Sequence, residues 1–182
     1  MNWRNEPPSW SETAGEIRMT TAPGTDFWRT THYGFVRDSG HFGYVRVAGD
    51  FAARVRLEGR YRDQYDQAGL MLRLDAETWL KCGIEFVDGR QWVSAVATRG
   101  LSDWSVAPLD PAPASLCIEA RRVAEAVEVS YGEREPDRLL RIAALTTAPE
   151  LEVGVMAASP EGGGFDVVLR DFAVEPLDAP SS

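Results

Sequence analysis

The chain has 182 residues, 44% of them hydrophobic and 26% charged, with 28 acidic against 19 basic side chains and a formal net charge of −9. This is the composition of a soluble globular protein of ordinary domain size, and its acidity argues against nucleic acid as a partner, since a phosphate backbone demands a basic surface. No apolar run approaches the roughly 20 residues that span a bilayer, so no membrane partner is expected either.

At the N-terminus, MNWRNEPPSW offers no apolar stretch of the kind a secretory signal requires. With two cysteines in all, a cytoplasmic location is the expectation. TDFWRTTHYGF, Thr25 to Phe35, then concentrates rings and a histidine. Thr25-Asp26 reads as a turn. The stretch is either a packing corner, with the Trp28 indole seeking a buried partner, or a platform whose exposed rings stack on a sugar.

Downstream the pattern is period two with frequent turn residues, which marks strands of a two-sheet sandwich. FAARVRLEGR alternates Phe51, Ala53, Val55 and Leu57 against Arg54, Arg56 and Glu58. AGLMLRLD, LKCGIEFV and WVSAVAT follow, then SLCIEARRV, VEVSYG, LLRIAAL, LEVGVMAAS and GFDVVLRDFAV. Helix competes only in ARRVAEAVEV, through its Ala and Glu, but Val123, Val127 and Val129 favour a hairpin. APLDPAPAS and ASPEGGG read as connections within one core, so residues 1–182 are taken as a single domain whose tail beyond about 175 frays.

VDGRQ fixes a register, because Asp88-Gly89 is the strongest two-residue hairpin signal. Val87 then pairs with Arg90, Glu85 with Trp92, Gly83 with Ser94, Lys81 with Val96 and Trp79 with Thr98, all on one face. Leu80, Cys82, Ile84, Phe86, Val93, Ala95 and Ala97 take the other face, which reads as core. In QAGLMLRL, Gln67, Gly69, Met71 and Arg73 share the first face, so that Gly69 comes near Gly83. Neighbouring glycines predict a hollow of bare backbone open to a ligand, ringed by Gln67, Arg73, Lys81, Glu85, Trp92, Ser94 and Thr98. Lys81 and Glu85 lie about 13 Å apart along the strand, so each needs a cross-strand partner, water or a ligand.

TDFWRTTHYGFVRDSGHF, GDF, YDQAGLMLRLD, WLKCGIEFVDG, RGLSDWS and VGVMAASPEGGGF, in this order, resemble a bacterial family of unknown function. It has the concanavalin A-like lectin/glucanase jelly roll and is similar to a yeast protein named for regulation of enolase. The resemblance implies an all-β jelly-roll sandwich of two antiparallel sheets with a concave face where lectins and glucanases hold carbohydrate. Gln67, Lys81 and Glu85 fall on that face by parity. Trp28, Tyr33, His41 and Trp104 lie in motifs that belong to loops or strand ends beside it.

The glucanases' paired carboxylates on one strand have no counterpart. Glu85 and Asp88 fall on opposite strand faces, and Glu77 lies about 26 Å from Glu85, against the roughly 5 to 9 Å that hydrolysis requires. Glu119 is the conceivable partner from another strand. His32 and His41 lack neighbours at zinc spacing, and Asp38, Asp63 and Asp66 are scattered, so no metal and no cofactor is implied. Cys82 faces the core and Cys117 faces away, so no bridge is expected. The expected function is non-catalytic binding of a carbohydrate or small polar metabolite, anionic ones included, in an oligomeric state left open. The alternatives are an enzyme on sugars with Glu85 as acid/base, helped by Lys81 or His41, and a regulatory module that binds a protein.

Overall fold

Period-two alternation carries the chain, in a computed structural model that describes residues 1–177, through sixteen strands. In order they are β1 (Asn2–Arg4), β2 (Ser9–Thr13), β3 (Glu16–Thr20), β4 (Phe27–Arg29), β5 (Val36–Asp38), β6 (His41–Ala48), β7 (Phe51–Gly59) and β8 (Gln67–Arg73). Then come β9 (Thr78–Val87), β10 (Arg90–Arg99), β11 (Leu101–Pro108), β12 (Leu116–Val123), β13 (Ala126–Gly132), β14 (Arg138–Ala144), β15 (Glu150–Ala158) and β16 (Asp166–Pro176). No helix occurs among the described residues, hence none long and apolar enough to cross a membrane.

Two seven-stranded antiparallel sheets form a jelly-roll sandwich, as expected. The front sheet runs β1-β6-β15-β8-β9-β10-β11 and the back sheet β14-β13-β12-β7-β16-β3-β2, while β4 and β5 make a separate hairpin. Between the sheets Phe51, Val55 and Leu57 of β7, Ile118 of β12 and Leu169 of β16 meet Leu70, Leu72, Leu80, Ile84, Val93 and Val155. Each such side chain, fully buried, stabilises by about 1.5–3 kcal/mol relative to exposure. Cys82 belongs to this core and Cys117 does not, and both are free thiols.

The central register follows the Asp88-Gly89 turn, whose two residues have φ of 50° and 75° as a two-residue hairpin loop requires. Val87 pairs with Arg90, Glu85 with Trp92, Gly83 with Ser94, Lys81 with Val96 and Trp79 with Thr98. On the next strand Gly69 lies directly opposite Gly83, and Gln67 opposite Glu85.

Four expectations need correction. The front sheet's outer face is not simply polar: Met71, Trp79, Val96, Phe42 and Met156 make a second apolar cluster on it, capped by Phe27 and Trp28 of the β4–β5 hairpin. Gly69 and Gly83 do not open a hollow. A Cβ on Gly83 would overlap the Ala68 carbonyl oxygen and one on Gly69 that of Cys82, and the space beside Gly83 is about 10 Å³, a single water at most. These glycines serve close approach of two backbones. Strands also form at β1 to β6 and β11, where the alternation is too short or too mixed to read from sequence. Finally, Ala173 to Pro176 stay paired with β7, beyond a register shift after Arg170, and the Leu177 N–H donates to the Asp50 carbonyl; residues 178–182 of the tail expected to fray lie outside the described residues.

Candidate functional site

Under the β4–β5 hairpin, beside the end of β8 and β9 that carries Gln67 and Glu85, lies a cavity of about 360 Å³. Its lining includes Asp26, Trp28, Tyr33, Phe35 and Arg37 from the hairpin, Tyr65 from the β7–β8 loop, and Glu161 from the β15–β16 loop. The front sheet contributes Gln67, Lys81, Glu85 and Trp104. That size falls in the usual range for small-molecule sites.

The hairpin is held where it is by specific bonds. Arg29 donates its Nε to the Gly100 carbonyl and its guanidinium to Glu77, and its backbone N–H to Ser102 Oγ. Ser39 and Gly40 N–H groups both donate to the Asp26 carbonyl. Lys81 Nζ donates to the Phe27 carbonyl at 2.9 Å. At the tip, positive φ at Thr30, His32 and Gly34 winds the chain tightly, with Trp28 Nε1 donating to the Thr31 carbonyl. Within Thr25 to Phe35, Phe27 and Trp28 pack, while Tyr33 and Phe35 stand exposed at the mouth. Their rings stack at 5.6 Å and 19°, Trp28 meets Tyr33 edge-on, and Tyr65 meets Trp104 likewise.

The floor is polar and buried. Lys81 Nζ donates to Gln67 Oε1 and lies 3.8 Å from Asp26 Oδ1, and Gln67 Nε2 donates to the Tyr65 carbonyl. Glu85 Oε2 accepts from Ser94 Oγ at 2.7 Å and Trp104 Nε1 at 2.9 Å; among the described residues no donor reaches Oε1. Burial holds the Glu85 carboxyl above the usual carboxylate range, against the pull of the Lys81 ammonium and the Ser94 bond. The Tyr33 hydroxyl, 3.5 Å from that of Tyr65, is pushed up to about 12, first by that contact and then by burial.

Gln67, Lys81, Glu85, Trp28, Tyr33 and Trp104 thus share one cavity, with Ser94 behind Glu85. The other sequence-marked residues lie elsewhere. Arg73 is spent in a bidentate pair with Asp38 at 2.6 and 2.8 Å. Thr98 is fully buried against Ser102 Oγ. Trp92 donates to the Val87 carbonyl and lines a separate groove with Gln91 and Pro108. His41 bonds through Nδ1 to the Asn5 carbonyl and accepts the Ala22 N–H on Nε2, and burial lowers its pKa. Glu119 pairs with Arg54 on the back sheet, so it is no partner for Glu85.

Asp26, Phe35, Arg37, Tyr65 and Glu161 were missed by sequence reasoning, although TDFW, YDQAG and SPEGGG, which contain three of them, stand out as motifs. A larger groove of about 620 Å³ at the ends of β2, β3, β7 and β16 has Trp10 as its lining ring, with the Nε1 bonded to Glu6. Among the described residues no three His, Cys, Asp or Glu are grouped to hold a metal ion.

The family model described as protein of unknown function (DUF1349) matches residues 3–177. Regulation of enolase protein 1 of Saccharomyces cerevisiae is 40% identical over 174 residues, 94% of this chain and 87% of the yeast protein. A crystal structure of a functionally unknown protein from the same yeast superposes with a TM-score of 0.91 at 38% identity, covering 97% of each chain. At fold level, the carbohydrate-binding module CBM66 from Bacillus subtilis gives 0.61 at 13% identity over 95% of this chain and 94% of its own. A mutant of the GH43 protein BlXynB from Bacillus licheniformis gives 0.69 at 17% identity, over 94% of this chain but 36% of its own. The chain belongs to the DUF1349 family; the bacterial membership read from its motifs is not part of what these matches show.

Proposed function

Starting from that membership, we propose that the chain binds a carbohydrate, or a polar metabolite shaped like one, in the cavity beneath the β4–β5 hairpin. The observation that carries this reading is the joining of five rings, Trp28, Tyr33, Phe35, Tyr65 and Trp104, to a buried floor of Gln67, Lys81, Glu85 and Asp26. Aromatic faces meet the C–H faces of a sugar ring, while carboxylate and amide groups meet its hydroxyls. The floor is preorganised, because each of its side chains is already oriented by the protein. The likeness to a carbohydrate-binding module supports the reading at the level of fold.

Isothermal titration with a panel of neutral monosaccharides and short oligosaccharides tests it. Binding is expected, and Tyr33→Ala, at an exposed position, should weaken it while leaving the fold intact. Binding that neither Tyr33→Ala nor Glu85→Gln alters would place the site elsewhere.

One observation favours a second reading as a glycosidase. Asp26 brings into the cavity a second carboxylate that, after burial, opposes ionisation of Glu85, and an upward-shifted carboxyl is what a general acid requires. Release of the phenol from aryl glycosides, abolished by Glu85→Gln, would establish it. A regulatory protein partner, in keeping with the yeast relative's name, would instead cover Tyr33 and Phe35.

A further inference from the structure

Resting on the carbohydrate reading, we propose that the cavity's ligand is an acidic sugar, a uronic acid, held with its carboxylate on Arg37 at the mouth and its hydroxyls on Glu85 and Asp26 at the floor. The two cations that parity places round the predicted hollow are both occupied. Lys81 is taken up by the Phe27 carbonyl, Gln67 and Asp26, and Arg73 by Asp38. Arg37 differs from both: it lines the cavity, and among the described residues its side chain makes no hydrogen bond or ion pair.

Arg37 is nevertheless fixed in place. Its guanidinium carbon sits 5.2 Å from the centroid of the Phe35 ring, and Phe35 stacks in turn on Tyr33. A cation–π contact uses none of the guanidinium's hydrogen-bond donors, and those donors match a planar carboxylate in a two-bond fork.

The floor offers the opposite chemistry. Glu85 Oε2 is filled by Ser94 and Trp104, and Asp26 Oδ1 by the Phe27 N–H and Gln67, which leaves Glu85 Oε1 and Asp26 Oδ2 as acceptors with no donor among the described residues. Sugar hydroxyls are the donors that suit them. Glu161, on another wall of the cavity, is a further such acceptor. An anionic group turned toward the floor would face Asp26, so an acidic sugar has one favoured orientation. A phosphate ester carries close to two charges and calls for more than one cation, whereas a carboxylate matches the one guanidinium that lines this cavity.

The test is titration with sodium glucuronate and galacturonate beside glucose and galactose, at low and at physiological salt. Each uronate should bind about tenfold more tightly than its neutral parent at low salt, the size of one partly exposed charge-assisted contact. The preference should shrink with salt. Arg37→Gln should erase it, so that within that variant each uronate and its neutral parent bind with equal affinity, and Arg37→Lys should restore part of it. Equal affinity for acid and parent in the native protein, or a preference that survives Arg37→Gln, would overturn the inference and leave the carbohydrate reading standing. Tighter binding of a hexose phosphate than of either uronate would overturn the carboxylate assignment. If no sugar of either class bound, both readings would fall together.

Discussion

The Glu85 carboxyl, raised by burial, keeps in the folded protein a proton that the unfolded chain releases near the ordinary value of about 4.3. Between those two pKa values the folded state binds more protons, so stability falls as pH rises through that window and stays reduced above it. Glu85→Gln removes the charge and keeps the shape. It should raise the melting temperature at neutral and alkaline pH and leave it unchanged below about pH 4; a variant no more stable than the parent at pH 8 would show that the carboxylate is not penalised. His41 has the opposite sign. Its pKa is lowered by burial, so its contribution is complete above the unfolded value of about 6.5 and is lost as pH falls through that value toward the folded one. His41→Ala removes bonds to Asn5 and Ala22 and should cost about 2 kcal/mol at pH 8, counting about 1 kcal/mol for each. It should also flatten the stability profile just below pH 6.5, and denaturant melts across pH would show both. Parity alone brought Gln67, Lys81 and Glu85 together, because side chains alternate strictly along β8 and β9. Asp26 and Arg37 were out of reach, since no local pattern says where a hairpin outside both sheets will rest.

Among the elements, the central β8–β9–β10 register was readable because Asp88-Gly89 admits one turn, and one turn fixes every pair behind it. The two glycines were visible as neighbours, but their purpose was not: bare backbone looks the same whether a ligand or another strand approaches it. Gly83→Val, which a ligand hollow would tolerate, should instead prevent folding, because the Ala68 carbonyl occupies the place of the new Cβ. Soluble protein with native circular dichroism would contradict this. The hairpin, in contrast, hangs on Lys81. Lys81→Met fits the volume but removes the bonds to Phe27 and Gln67 and leaves Asp26 without its counter-charge. A loss of about 3 kcal/mol is expected, the scale of breaking a buried pair. Amide exchange should speed up first in β4 and β5, and uniform exchange across the molecule would argue against a latch.

For the whole molecule, alternation over nine segments was enough to read an all-β sandwich, and circular dichroism should show β structure with negligible helix. The front sheet's second layer was hidden because the apolar side chains Met71, Trp79 and Val96 share a face with Lys81 and Glu85, and a mixed face reads as solvated until its cover is known. That cover turns a sheet face into a cavity, on which the functional account depends. The six tryptophans report on it with built-in controls: Trp28 and Trp104 line the cavity, while Trp3, Trp10, Trp79 and Trp92 do not. Indole N–H resonances followed by two-dimensional NMR during titration with neutral sugars and uronates therefore test the central claim. Saturable shifts led by Trp28 and Trp104 are expected, with Trp10 and Trp92 unmoved. Shifts led by Trp10 or Trp92, or no shift with any sugar, would contradict it.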